Sequence, residues 1–219
     1  MEKQNKRLLW STLGFFAAFA LWTVLVCRAD VRPIGPNGSC VGLAALNGAF
    51  HRLTGVHWAL YTLTDWLGLV PVVAALGFAV LGLVQLVRRR SLRRVDRSLL
   101  VLGGLYLVVL AAYLLFEEIP LNYRPVLIDG RSEASYPSST TLLALCVLPT
   151  AMLQLRRRMH AGPARAAFLG ALGLVAAFLV ACRLLSGVHW LSDIVGGVLL
   201  SGGLVLLYAS ACGSSGTAA

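Results

Sequence analysis

Residues 166–212 read AAFLGALGLVAAFLVACRLLSGVHWLSDIVGGVLLSGGLVLLYASAC. Two apolar runs, Ala166 to Cys182 and Trp190 to Cys212, flank a short polar seam from Arg183 to His189. A helix rises about 1.5 Å per residue, so roughly 20 apolar residues cross a hydrocarbon layer of about 30 Å, and somewhat fewer suffice where polar ends snorkel. Both runs meet that length. Four earlier segments meet it too: Leu8 to Cys27, Trp58 to Val87, Leu99 to Phe116 and Ser138 to Leu155. The second is long enough to tilt or to begin outside the bilayer. The expected fold is all-α, a polytopic membrane protein built as a six-transmembrane-helix bundle.

Composition agrees. Of 219 residues, 58% are hydrophobic and 13% charged, whereas a soluble domain is about half apolar and about a quarter charged. Too little polar surface remains to cover a soluble globule, and disorder, collagen and coiled coils are excluded with it. The net charge of +10 implies no nucleic-acid partner, because the basic residues cluster between apolar runs. Thirteen Lys and Arg fall on one side (Lys3, Lys6, Arg7, six from Arg88 to Arg97, and Arg156, Arg157, Arg158 and Arg165), against six on the other. The positive-inside rule then predicts both termini in the cytoplasm and stretches 28–57, 117–137 and 183–189 facing outward. A small chain with little beyond its six helices suggests a plasma membrane. The first apolar run is too long for a signal peptide, and Val26 before Cys27 is a poor cleavage site, so it reads as a retained helix. Residues 1–57 form an N-terminal helix with an outer loop, and 58–219 the five-helix remainder of one domain. The five cysteines contain no C-x-x-C pair, which offers no metal or redox motif, although Cys27 and Cys40 could bridge across the outer loop.

Chemistry concentrates in two places. In the seam, His189 and Asp193 are four residues apart, a spacing that puts both side chains on one helical face, where a carboxylate can orient an imidazole and leave its other nitrogen free. Arg183 adds a planar fork of donors suited to phosphate. The plainer alternative is a polar turn with Asp193 as a helix cap. The second place is Asn122-Tyr123-Arg124-Pro125, followed by Tyr136-Pro137-Ser138-Ser139-Thr140. Pro137 and the hydroxyls open a helix whose first turn attracts anions, although ordinary capping also accounts for them. Both places fall on the side predicted to face outward.

These residues resemble the type 2 phosphatidic acid phosphatase superfamily, integral membrane lipid phosphatases with three motifs: Lys, six residues, Arg-Pro; Pro-Ser-Gly-His; and Ser-Arg, five residues, His, three residues, Asp. Arg183, His189 and Asp193 match the third at the family spacing, with Cys182 in place of Ser. Arg124-Pro125 matches the first and Pro137-Ser138 the second. Two departures stand out. Glu117 occupies the position of the first-motif Lys, and Ser139 and Thr140 follow Pro137-Ser138 where the family has Gly and His.

The resemblance implies hydrolysis of a lipid phosphate through a phosphohistidine on His189, with Asp193 as its orienting partner and no cofactor or metal. Arg124, Arg183, Ser138, Ser139 and Thr140 would hold the phosphate, and membrane lipids would be the partners. Thr140 cannot protonate a leaving group effectively, and losing a general acid costs roughly 10²- to 10⁴-fold in rate. The loss weighs less on a diphosphate, whose departing phosphate has a pKa near about 6 and leaves unprotonated. The expectation is a lipid phosphomonoester or, preferentially, a polyprenyl diphosphate. Candidate substitute proton donors are Glu117, Asp65, and His57 in a Gly55-Val56-His57-Trp58 copy of Gly187-Val188-His189-Trp190. A catalytically silent lipid-phosphate binder and a phosphotransferase of the same architecture are the alternatives.

Overall fold

The computed structural model describes residues 2–213, with side chains from Asn5 onward; the Lys3 side chain, counted above, lies outside the described residues. The described helices are α1 (Glu2–Arg28), α2 (Ala44–Thr54), α3 (Trp58–Leu67), α4 (Leu69–Arg89), α5 (Arg97–Glu118), α6 (Ser139–Arg158), α7 (Pro163–Leu185) and α8 (Leu191–Gly213). Six stretches are long and apolar enough to cross a membrane, and they coincide with the six segments expected from the sequence. The protein is a multi-pass membrane protein with an all-α fold.

Two details depart from the sequence expectation. The long second segment is broken at Gly68 into α3 and α4. The stretch 28–57, read as a hydrophilic connection, contains α2, which buries Ala44 and Asn47 while Leu46 and Leu53 stay exposed. Cys27 and Cys40 are free exposed thiols rather than a bridge.

The core sits around α6 and α8. Half of the apolar stretch in each is buried within the protein, against 11% in α1 and 6% in α3–α4, whose flanks are left for lipid. Leu99, Leu102, Leu105 and Val109 form one stripe of α5 at helical spacing and pack on Leu142 and Cys146 of α6 and Leu200, Leu204 and Tyr208 of α8. Between helices in lipid the attraction is mainly close packing, which small residues permit. Gly202 and Gly203 serve that end: a Cβ at either would stand under 3 Å from the rings of Phe15 and Phe16 of α1.

At the arginine-rich end, Asp96 accepts from Gln85 at 2.8 Å, Arg89 at 3.1 Å and Arg158 at 3.2 Å, joining α4, α5 and α6. Gln154 extends this network to Tyr208 of α8 and to the Ser98 carbonyl. At the opposite end the two Gly-Val-His-Trp copies meet through their backbones. The His57 N–H donates to the Ser186 carbonyl at 2.9 Å, and Gly187, at φ +68°, lies so close that a Cβ would stand 1.9 Å from the Gly55 oxygen. Left-handed strain and a backbone clash both oppose a side chain there. Gly187→Ala is expected to destabilise the protein by at least about 2 kcal/mol, whereas Gly77→Ala, which meets open space, leaves stability unchanged or slightly raised; thermal unfolding in detergent measures both.

Candidate active site

His189 precedes α8, and its imidazole is buried. Asp193 sits in the first turn of α8 and reaches back, its Oδ2 accepting from the Trp190 N–H at 2.9 Å in the manner of a capping box. The same carboxylate accepts from Asn122 Nδ2 at 3.4 Å, from the Ser192 hydroxyl at 3.3 Å and from the Ser135 hydroxyl. His189 Nδ1 lies 3.7 Å from Asp193 Oδ2, too long for a good hydrogen bond, but 3.2 Å from Ser135 Oγ. Ser135 gives its proton to Asp193, so its oxygen accepts from Nδ1–H. The orienting contact read from the four-residue spacing is therefore relayed through a serine. The relay assigns the proton to Nδ1 and leaves Nε2 with its lone pair; Nε2 is buried and has no hydrogen-bond partner among the described residues.

Electrostatics favour the same neutral form. Burial is the largest influence and pushes the His189 pKa down to about 4, opposed by the Asp193 carboxylate and reinforced by the charges of Arg124 and Arg183. Both arginines thus act on this imidazole.

Arg183, at the end of α7, is held on several sides: Nη1 donates to Thr64 Oγ1 at 3.2 Å, and Nη2 donates to Asp65 Oδ1 at 2.8 Å and to Thr140 Oγ1 at 2.7 Å. Its Nε is buried without a partner. Arg124 Nε lies 3.2 Å from Glu133 Oε2 but is not aligned to donate, so Nε and Nη1 are also unpartnered. Both guanidinium groups lie over one ring, that of Tyr61 on α3, at 4.9 Å for Arg183 and 6.0 Å for Arg124. Unpartnered buried donors are rare and costly, and here three of them accompany an unpartnered imidazole nitrogen. That set suits an anion with several oxygens.

The other sequence candidates divide. Thr140 joins Arg183, while Ser138 uses its hydroxyl to cap α6, accepting from the Thr141 N–H at 3.4 Å. Asp65 reaches the site through Arg183. Glu117 is exposed and, with Ser135 and Ser139, lines a small cavity beside the serine relay. His57 is exposed, and its Nε2 meets the carbonyl of Thr54 at 2.8 Å, which occupies the ring within its own turn. Sequence reasoning missed Ser135, Tyr61 and Thr64, and did not assign Asn122 a role; they lie in parts of the chain that only folding brings to the seam.

A groove of about 1040 Å³ leads away from the arginines between α4, α5 and α6. Thr64, Asp65, Ser139 and Thr140 stand among its lining residues, and most of the rest of its wall is apolar, including Leu69, Val72, Leu76 and Phe78 of α4.

Comparison with known proteins bears on this geometry. The PAP2 superfamily matches residues 116–213. A crystal structure of a transmembrane PAP2-type phosphatidylglycerolphosphate phosphatase from Bacillus subtilis has the same fold, with a TM-score of 0.62 over 95% of this chain and 98% of that one, at 18% identity. No curated protein sequence matches the chain. Glu117, Arg124, Ser138, Arg183, His189 and Asp193 all fall inside the segment 116–213 that the PAP2 superfamily matches.

Proposed function

We propose that the protein is a lipid phosphate phosphatase in which His189 is the nucleophile and a polyprenyl diphosphate is the preferred substrate. The observation that carries this reading is the His189 imidazole, with Nδ1 engaged by the Ser135–Asp193 relay and Nε2 buried and unpartnered beside two arginines. Arg124 and Arg183 hold the terminal phosphate, aided by Thr140 and by the first turn of α6 around Ser138 and Ser139. Nε2 attacks phosphorus, and the bond to the bridging oxygen breaks with its electron pair leaving on the polyprenyl phosphate. Water then attacks the phosphohistidine; the P–N bond breaks, Nε2 regains its lone pair, and the proton lost by water leaves on inorganic phosphate. Neither step needs a metal or cofactor.

The diphosphate preference follows from Thr140, which accepts a bond from Arg183 and is no acid. The apolar groove beside it suits a long hydrocarbon chain. The substitution of Thr140 and Glu117 at two motif positions also favours a second reading, a silent binder of lipid phosphates. A phosphotransferase differs only in the acceptor. We place the site at the outer face of a plasma membrane with both termini in the cytoplasm, because the arginine clusters lie at the opposite end.

The test is phosphate release by the purified protein from polyprenyl diphosphate, phosphatidic acid and phosphatidylglycerolphosphate, the last being a lipid phosphomonoester named for the structural neighbour. Fastest turnover is expected with the diphosphate, and His189→Ala should lower it by at least about 10³-fold. Binding without turnover would select the silent reading, and product that requires an added alcohol would select transfer. The pH dependence provides a second check. The folded pKa of about 4 lies below the ordinary value, near 6.5, so the acid limb of kcat/KM is expected near pH 4. By linkage the neutral histidine supports stability above about pH 6.5, and this support is lost as pH falls toward 4. A His189→Gln variant should lack that part of the pH dependence.

A further inference from the structure

Each arginine of the site has a carboxylate partner of contrasting exposure. The Arg183 side chain is 3% exposed and Asp65 is 51%; the Arg124 side chain is 10% exposed and Glu133 is 39%. The cations are fixed inside and the anions stand on the open side. Asp65 comes from α3 and Glu133 from the connection between α5 and α6, so the two pairs are built independently around the Tyr61 ring.

The donor inventory shows what a phosphate would meet. Nη2 of Arg183 carries two hydrogens, one directed to Thr140 and the other to Asp65. The adjacent Nε is unpartnered. A two-oxygen grip on the Nε–Nη2 edge, the usual bidentate hold of guanidinium on phosphate, therefore requires one of the two Nη2 hydrogens that Asp65 and Thr140 now occupy, and of these two acceptors only Asp65 is charged. On Arg124 the competing contact is weaker, since Glu133 is near Nε but misaligned for a hydrogen bond.

We propose that Asp65 and Glu133 are exchangeable counter-ions, which compete with phosphate for Arg183 and Arg124 and keep the affinity for inorganic phosphate low enough for product release. The proposal deepens the phosphatase reading and rests on its assignment of the two arginines. A buried guanidinium is costly without an anion, so a carboxylate beside each holds it in place between turnovers. A phosphate carrying up to two charges displaces these single charges on entry, and their return helps to expel it. Being on the groove side, Asp65 also lies where the hydrocarbon-bearing half of the substrate must pass.

The two possible roles of these carboxylates have opposite signs. A counter-ion that competes must weaken phosphate binding, whereas one that only positions its arginine must strengthen it. The experiment is titration calorimetry of full-length wild-type protein, Asp65→Asn and Glu133→Gln with inorganic phosphate, with Arg183→Gln as the background that removes the site. Removing a negative charge beside the site is expected to lower the phosphate Kd about tenfold in either single variant, with KM for the lipid substrate falling in parallel. A Kd that is unchanged or raised in both variants overturns the proposal, as does an absence of measurable phosphate binding in every protein. If Asp65→Asn does not fold, Glu133→Gln alone decides. Turnover is recorded separately: tighter phosphate binding without lipid hydrolysis by wild type removes the phosphatase reading and leaves the competition intact, while hydrolysis with unaltered phosphate binding does the reverse.

Discussion

The Asp193 carboxylate gathers donors from three parts of the chain. Asn122 approaches from the connection after α5, Ser135 from the segment that leads into α6, and Trp190 and Ser192 from the start of α8. Its backbone carbonyl accepts from the Ser138 N–H at 3.0 Å, which binds the α6 cap to the same point. One fully buried residue thus locks the two motif-bearing segments together and sets the imidazole. Removing one partner of a buried, hydrogen-bonded charge typically costs about 3–5 kcal/mol. Asn47 of α2 reinforces the junction from outside, donating to Ser192 Oγ at 2.9 Å and accepting the Ser192 N–H at 3.0 Å.

For the proposed phosphatase, that arrangement solves two electrostatic problems at once. A nucleophilic imidazole must be neutral, and a phosphate needs positive charge nearby. Burial together with the charges of Arg124 and Arg183 disfavours protonation of His189, and the same two guanidinium groups present unpartnered donors to an anion. Tyr61 offers its ring to both, a contact of cation and aromatic face that strengthens when water is excluded.

The six membrane spans were legible because hydrocarbon thickness demands a length of apolar chain that few other structures need. The break at Gly68 was not, since lipid-facing Leu and Val read alike on either side of it. Nor was α2, an 11-residue helix that buries only a few side chains. In the site, Arg183, His189 and Asp193 were legible because they are close in sequence and their spacing has a helical meaning. Ser135, Tyr61 and Thr64 act across 54, 122 and 119 residues, and a lone serine, tyrosine or threonine carries no periodic signal. The Gly-Val-His-Trp repeat was visible as a pattern, but its glycines turned out to matter more than its first histidine: they let two loops touch through their backbones beside the polar seam.

Two aspartates of the site show how burial divides similar groups between opposite duties. Asp193 is fully enclosed and accepts from four donors, which in the proposed reaction suits it to orienting the imidazole. Asp65 is half exposed and meets the site through one nitrogen that it shares with a threonine hydroxyl, the place that the proposed competition gives to an incoming anion. The first lies in the segment that the superfamily matches, and the second lies on α3, outside the matched residues. The chain therefore combines a rigid half, which holds the imidazole, with a wall from α3 whose Tyr61, Thr64 and Asp65 contact the arginine pair. In such a division, differences in substrate handling can accumulate on α3 without disturbing the relay that keeps Nε2 available.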